Sequence, residues 1–139
     1  MFVLSTARKS HFLIALLTVI VLTLPLTTSA AASQFTKCTA DVSPLYGRTE
    51  FAVSCTANWE GTSANGNPLR TLVYVTDNGT PDIRTSSPLF VLENGVSRSF
   101  RMDKGKKFQV TFFLVEYDRR TGQYVPEPID QWIERGVAL

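Results

Sequence analysis

Histidine is nearly absent from this chain, and its scarcity excludes a large group of catalytic and metal sites. The one histidine, His11, lies in an N-terminal segment with the character of an export signal. Imidazole is the usual general base of Ser–His and Cys–His couples and the commonest metal ligand. We therefore expect a mature domain without such a couple, without a metal site and without a cofactor.

Long apolar runs are also scarce. The main one, Phe12 to Leu24, has about 13 residues, whereas a membrane-spanning helix needs ~20. Basic residues precede it and small residues follow it, as in a secretory signal peptide. We expect residues 1–32 to be this signal peptide, with cleavage after Ala30 or Ala32, and the product to be secreted or periplasmic/extracellular. An uncleaved membrane anchor is the alternative.

Excess charge of either sign is lacking once that segment is removed. Arg8 and Lys9 belong to the 14 basic residues, so 12 remain against 12 acidic residues. A neutral domain lacks the basic surplus typical of nucleic-acid-binding proteins. We expect one monomeric domain over residues 33–139, with no nucleic-acid partner and no membrane partner after export.

Cysteine occurs only twice. In an exported chain, Cys38 and Cys55 are most simply one disulfide. If the segments around them form an antiparallel hairpin, setting Cys38 opposite Cys55 also sets Ala40 opposite Val53 and Val42 opposite Phe51. That register would place all six side chains on one face. A bridge between an offset pair is the alternative, because directly opposed cysteines are often strained.

Alternation of apolar and polar residues dominates the rest of the sequence. Phe51 to Trp59 has apolar or cysteine residues at every second position, which predicts a strand buried on one face. Leu69 to Thr76 and Phe108 to Tyr117 are apolar on both faces and indicate central strands. We also expect a short edge strand at Ile83 to Ser87 and a hairpin turn at Asn94-Gly95.

Asp118 to Gly122 forms a further predicted hairpin turn. It would set Tyr117 opposite Tyr124. Ile129 to Leu139 is compatible with a helix by its spacing, but we favour a strand or irregular tail that packs Trp132 on the sandwich. Six to eight strands with turns about every ten residues indicate an all-β sandwich.

This pattern resembles the fibronectin type III or immunoglobulin-like domains. Trp59 matches the core tryptophan of their second strand, and Met102, Gly105 and Phe108 match the turn before their penultimate strand. The resemblance implies an antiparallel β-sandwich of about seven strands, here with one disulfide. A bridge within the first hairpin departs from both families. The resemblance also implies a scaffold whose loops bind a ligand.

Five basic residues cluster around one predicted turn, with only Asp103 opposing them: Arg98, Arg101, Lys104, Lys106 and Lys107. They form a candidate basic patch for a polyanion or an acidic partner. The alternative is a solvated turn whose charges confer solubility. Asn78-Gly79-Thr80 is a glycosylation sequon on a predicted turn, and Asn78 is modified only if the source glycosylates its exported proteins.

These features favour a secreted, non-catalytic binding module that recognises a protein or glycan through its loops. A small enzyme inhibitor or effector is one alternative, and a subunit that exchanges an edge strand is another. The alternative from another class is a small hydrolase that uses Glu116 and Glu127 as an acid–base pair. The small domain and the lack of histidine disfavour it.

Overall fold

Within the part of the chain that the structure describes, eight antiparallel strands are arranged in two sheets. The computed structural model describes residues 32–47 and 49–139, so the predicted signal peptide lies outside the described residues except for Ala32. None of the described residues belongs to a helix that is long and apolar enough to cross a membrane. The strands are β1 (Gln34–Pro44), β2 (Glu50–Glu60), β3 (Leu69–Thr76), β4 (Phe90–Leu92), β5 (Arg98–Asp103), β6 (Lys107–Asp118), β7 (Gln123–Tyr124) and β8 (Asp130–Val137).

The smaller sheet has the strand order β1-β2-β5. Its central strand, β2, shows the predicted alternation, since Phe51, Val53, Cys55 and Ala57 are buried and the residues between them are half-buried. Trp59 is half-buried and packs against the core. The prediction of a strand with one buried face is therefore confirmed.

The predicted disulfide is wrong in both its directly opposed and its offset form, because neither cysteine is bridged. The register of β1 against β2 also differs from the expected one by two residues. Cys38 pairs with Ala57, and Cys55 pairs with Ala40. Both cysteines are buried free thiols. The expected pairs Ala40–Val53 and Val42–Phe51 are also wrong, since Val42 lies opposite Val53. A shift of two residues keeps every side chain on its face, so alternation cannot distinguish the two registers.

The larger sheet has the order β4-β3-β6, and β6 is followed on its other side by β7 and β8. The prediction that β3 and β6 are central strands is confirmed, because both are buried on both faces. The β6–β7 hairpin is confirmed as well, with Tyr117 opposite Tyr124. The ambiguous C-terminal segment forms β8, and Trp132 packs against the core.

Two local predictions are wrong. Residues 83–87 form turns and no strand. Asn94-Gly95 forms a turn but not a hairpin, because β4 pairs with β3 whereas β5 pairs with β2 in the other sheet. The Asn94 side chain accepts a hydrogen bond from the Trp59 backbone N–H at 3.0 Å and donates one to its carbonyl at 2.9 Å. This amide continues the pairing of β2 while the chain crosses between the sheets.

The main core lies between the two sheets. The smaller sheet contributes mainly small side chains, such as Val53, Cys55 and Ala57, and the larger sheet contributes larger ones, such as Phe112 and Leu114. Along one side of the core, the backbone N–H of Phe35 in β1 donates to the Asp130 carboxylate in β8 at 2.8 Å. The described residues thus form two antiparallel sheets that share one core, as in a β-sandwich.

Candidate functional site: a cationic pocket at the end of the larger sheet

The larger sheet has a second, smaller apolar cluster on the face that points away from the main core. It contains Leu72 and Tyr74 of β3 and Phe113 and Val115 of β6, and Ile83 packs over it. Ile83 belongs to the connection between β3 and β4, residues 77–89. These apolar side chains require a cover because they alternate with those of the main core. The connection supplies this cover and brings polar loop residues to the end of the sheet.

Gln109 lies at that end of the outer face, between Thr76 of β3 and Arg135 of β8. The residue is only 2% exposed. Its Nε2 donates to the Gly79 carbonyl at 2.8 Å, and the Thr76 hydroxyl donates to the same carbonyl at 3.0 Å. These two bonds attach the beginning of the covering connection to the sheet.

The Gln109 amide also positions an arginine. Its Oε1 accepts a hydrogen bond from Arg135 Nε at 3.0 Å. The orientation of this amide is fixed, because the Gly79 carbonyl can only accept and the guanidinium can only donate. Since Gln109 is buried and bonded at both ends, it holds the base of an otherwise flexible cation. Arg135 is therefore oriented before any ligand arrives.

Arg135 and Lys107 line a pocket of about 440 Å³, which we call the cationic pocket. Asp77 is the one carboxylate in its lining, and Asn78 and Gln109 supply amides. Among the ion pairs of the described residues, none involves Arg135 or Lys107. The pocket therefore carries two cations against one anion.

Gly136, whose backbone lies in the pocket lining, is opposite Phe108 in the neighbouring strand, and its missing side chain leaves room for the Phe108 ring on the core face of the sheet. A Cβ atom at Gly136 would lie 2.5 Å from Phe108 Cζ. The Phe108 ring is buried and contacts the Phe100 ring edge to face, with 6.3 Å between centroids. Glycine is thus required here by close approach, which lets the ring fill the end of the core.

The predicted basic patch is divided between several surroundings. Arg98 lies over the Phe90 ring, 5.1 Å from its centroid. Lys106 lies 3.9 Å from the Asp103 carboxylate. Arg101 is exposed on β5 opposite Ala52, and Lys104 is exposed in the β5–β6 turn. Only Lys107 lines the cationic pocket.

The sequence analysis missed Arg135 and Gln109, which complete this pocket. Arg135 lies in the C-terminal segment, whose spacing is compatible with either a helix or a strand, so the sequence does not indicate its neighbours. Gln109 is a polar residue within an apolar strand, and a buried polar side chain requires partners. That is the one signal in the sequence that singles it out. Asn78 lies in an exposed turn, as predicted, and its Oδ1 accepts from the Gly79 N–H at 2.9 Å.

A second cavity, the tyrosine crevice, lies on the same outer face. Its volume is about 380 Å³. Tyr74 and Tyr124 line it, together with Pro88 and Pro126 from the two flanking loops. Tyr74 donates its hydroxyl to the Ser86 carbonyl at 3.2 Å. Tyr124 stacks at a tilt on Tyr117, with 5.2 Å between ring centroids. The crevice is mostly apolar and offers no charged group.

The carboxylates suggested for hydrolysis are engaged elsewhere. Glu116 Oε1 accepts hydrogen bonds from the side-chain amides of Asn67 at 2.6 Å and Asn65 at 3.3 Å. Hydrogen bonding, above all from Asn67, lowers the pKa of Glu116, which disfavours the protonated form that a general acid requires. Glu127 lies 3.7 Å from Arg84 in an exposed ion pair. Neither residue lines the cationic pocket.

The two thiols are placed as structural residues. Burial raises the pKa of Cys38 to about 12, with a further contribution from the nearby carboxylates of Glu134 and Asp130. Burial likewise raises the pKa of Cys55 to about 12. The thiol, and not the nucleophilic thiolate, is therefore the form present near neutral pH. Within the described ranges, no group of three or more His, Cys, Asp or Glu residues is placed to hold a metal ion.

Comparisons with known proteins give no relative to set beside this pocket. No family model matches the chain, and neither a curated protein nor a solved structure is significantly similar to it. The geometry of the pocket is therefore the basis on which a function can be inferred.

Proposed function

We propose that this domain is a secreted, non-catalytic binding module that recognises a protein or glycan through the loops at one end of its sandwich. The observation that carries the proposal is the cationic pocket, where the buried Gln109 amide holds Arg135 beside Lys107. An oriented, uncompensated cation favours binding because little order remains to be imposed when a ligand arrives.

The strand order supports an immunoglobulin-like scaffold for this function. If β7 is set aside and the other strands are lettered A to G in chain order, the sheets read A-B-E and D-C-F-G. The constant-type immunoglobulin sandwich has A-B-E-D and C-F-G, so only the fourth strand changes sheets. In such sandwiches the loops gather at the two ends, where ligands bind. The cationic pocket lies at one of these ends.

The surroundings of the carboxylates favour binding over hydrolysis. A glycosidase needs two carboxyl groups that face each other across a bond, one of them with a raised pKa. Here the pKa of Glu116 is lowered by its amide partners, and Glu127 pairs with Arg84. Asp77 stands alone as a carboxylate in the cationic pocket. The hydrolase alternative thus has no site among these residues.

A binding screen with charge-matched variants tests this proposal. The wild-type domain is screened against immobilised glycans and secreted proteins, together with R135Q/K107Q and the control R101Q/K104Q. Each double variant removes two positive charges, but only the first pair lines the pocket. We expect a ligand whose binding is lost in the first variant and kept in the control.

Two outcomes would overturn the proposal. Equal losses in the two variants would mean that net charge, and not the pocket, determines binding. Chemical conversion of the bound ligand, detected by mass spectrometry, would mean that the domain is an enzyme. Melting curves of all the variants show whether a loss of binding reflects unfolding.

A further inference from the structure

The free part of the Arg135 guanidinium defines what the cationic pocket can accept. Its Nε is bonded to Gln109 Oε1, so one edge of the planar group is already occupied. The two terminal nitrogens remain, and they form a fork that matches the two oxygens of a carboxylate. The geometry of this pocket thus favours a planar, two-oxygen anion.

The charges in the lining of the cationic pocket limit how many negative charges a ligand can carry there. Arg135 and Lys107 supply two positive charges, and Asp77 supplies one negative charge in the same lining. A ligand with one negative charge neutralises the single positive charge that remains in the pocket. A dianion or a second nearby carboxylate would be repelled by Asp77. A phosphate monoester or a run of acidic residues therefore fits this pocket less well than a single carboxylate.

The rest of the lining suits a hydroxylated ligand. Asp77 accepts hydrogen bonds, and the Asn78 amide offers its NH₂ group as a donor while its Oδ1 already accepts from the Gly79 N–H. Sugar hydroxyls both donate and accept, so these groups can be satisfied together. A volume of about 440 Å³ is within the range of small-molecule sites.

We infer that the cationic pocket takes an acidic sugar residue, a uronate, whose carboxylate binds the Arg135 fork with Lys107 beside it. This inference rests on the proposed function, because it names the ligand class of the same site. In this arrangement Gln109 is a positioning residue, since it acts on the ligand only through Arg135.

The test is calorimetric titration of the full domain with the methyl glycoside of galacturonate, which carries a single carboxylate, and with the methyl ester of that sugar. The ester keeps the sugar and removes the charge. We expect the acid to bind more tightly than the ester by roughly ten- to a hundredfold, the range for a hydrogen-bonded charge. Binding of the acid weakens with added salt, because the pocket is open to solvent.

Single-residue variants show which side chains cause the difference in affinity between the acid and the ester. We expect R135Q to lose roughly ten- to a hundredfold and K107Q less, whereas K104Q changes affinity by about twofold or less, because Lys104 does not line the pocket. R135K keeps the charge but loses the fork, so it should recover only part of the affinity. Q109M should weaken the acid but not the ester, a difference that a purely structural role would not produce.

The outcomes separate this inference from the proposed function. If acid and ester bind equally, or R135Q and K104Q behave alike toward the acid, the uronate inference is wrong. If another ligand from the screen is then lost in R135Q/K107Q, the binding module stands with a different ligand. If no ligand responds to the pocket variants, both proposals fail.

Discussion

The two sheets differ in what covers them. The outer face of the smaller sheet carries short hydroxyl side chains, such as Thr39, Ser54, Thr56 and Ser99, and no segment lies over it within the described residues. The outer face of the larger sheet is apolar, and the β3–β4 connection lies over it. Pockets form where such a cover meets the sheet. The second layer therefore does more than bury apolar surface, because its edge creates the candidate site.

Substitutions at two adjacent phenylalanines of β6 allow a direct comparison of the main core with the layer beneath the β3–β4 connection. Phe112 is fully buried in the main core, whereas Phe113 is buried beneath the connection. We expect Phe112→Ala to lower the free energy of unfolding by about 3–5 kcal/mol. Phe113→Ala should lower it by about 3 kcal/mol or less, because a loop can settle into the space.

Urea unfolding followed by circular dichroism measures both variants. Equal losses would make the outer cluster a second core as well packed as the first. A larger loss for Phe113→Ala would reverse the comparison.

Gly136 tests how closely the larger sheet is packed at the end of the main core. A Cβ there would lie 2.5 Å from Phe108 Cζ, so we expect Gly136→Ala to destabilise the domain by about 1–3 kcal/mol. Phe108→Leu shortens the opposing side chain. The double variant should therefore lose less than the sum of the two single variants. Additive losses, measured by the same urea unfolding, would show that the two positions are not in contact.

Alkaline pH tests the inner face of the smaller sheet, where Cys38 and Cys55 have pKa values of about 12. Because these pKa values are raised, the thiols' contribution to stability is complete below the pKa of an unfolded thiol, about 8.5. It is lost as the pH rises toward 12. Burial raises the pKa of Tyr74 as well, which has the same sign.

We therefore expect the urea concentration at the midpoint of unfolding to decrease as the pH is raised from about 8.5 to about 11. The variant C38A/C55A should show a shallower fall over the same interval. An equally steep fall in that variant would mean that other groups, and not the thiols, cause the pH dependence.

The smallest effect is expected on the uncovered face. Ser54 and Ser99 lie opposite each other there, and nothing packs over them among the described residues. Ser54→Ala and Ser99→Ala should change the free energy of unfolding by about 0.5 kcal/mol or less. A loss above 1 kcal/mol, on the order of a lost hydrogen bond, would show that this face is structured by its hydroxyl groups.

The sequence predicted the strands that have the same pattern of buried faces along most of their length. β2 alternates because only one of its faces is buried, and β3 and β6 are apolar throughout because both faces are buried. Register was harder, since a two-residue shift of β1 leaves the alternation unchanged. The course of the chain at Asn94-Gly95 depends on the distant Trp59 backbone, which no local pattern reveals.

The candidate site was predictable only in part. Lys107 belonged to the predicted basic patch, but its partners in the pocket come from the β3–β4 connection and β8. Bringing Arg135 to Gln109 requires the pairing of β8 with β6, which depends on tertiary packing. A charge cluster in sequence thus gave one residue of the site, and long-range strand pairing gave the others.

The two-residue offset between Cys38 and Cys55 has a practical consequence for work with this domain. Since both cysteines are free thiols among the described residues, we expect the domain to reach the same melting temperature whether it is refolded with or without a reductant. Both thiols lie in the main core and meet solvent only when that core opens. The rate at which an added thiol reagent labels them therefore reports core opening, with no label introduced by design.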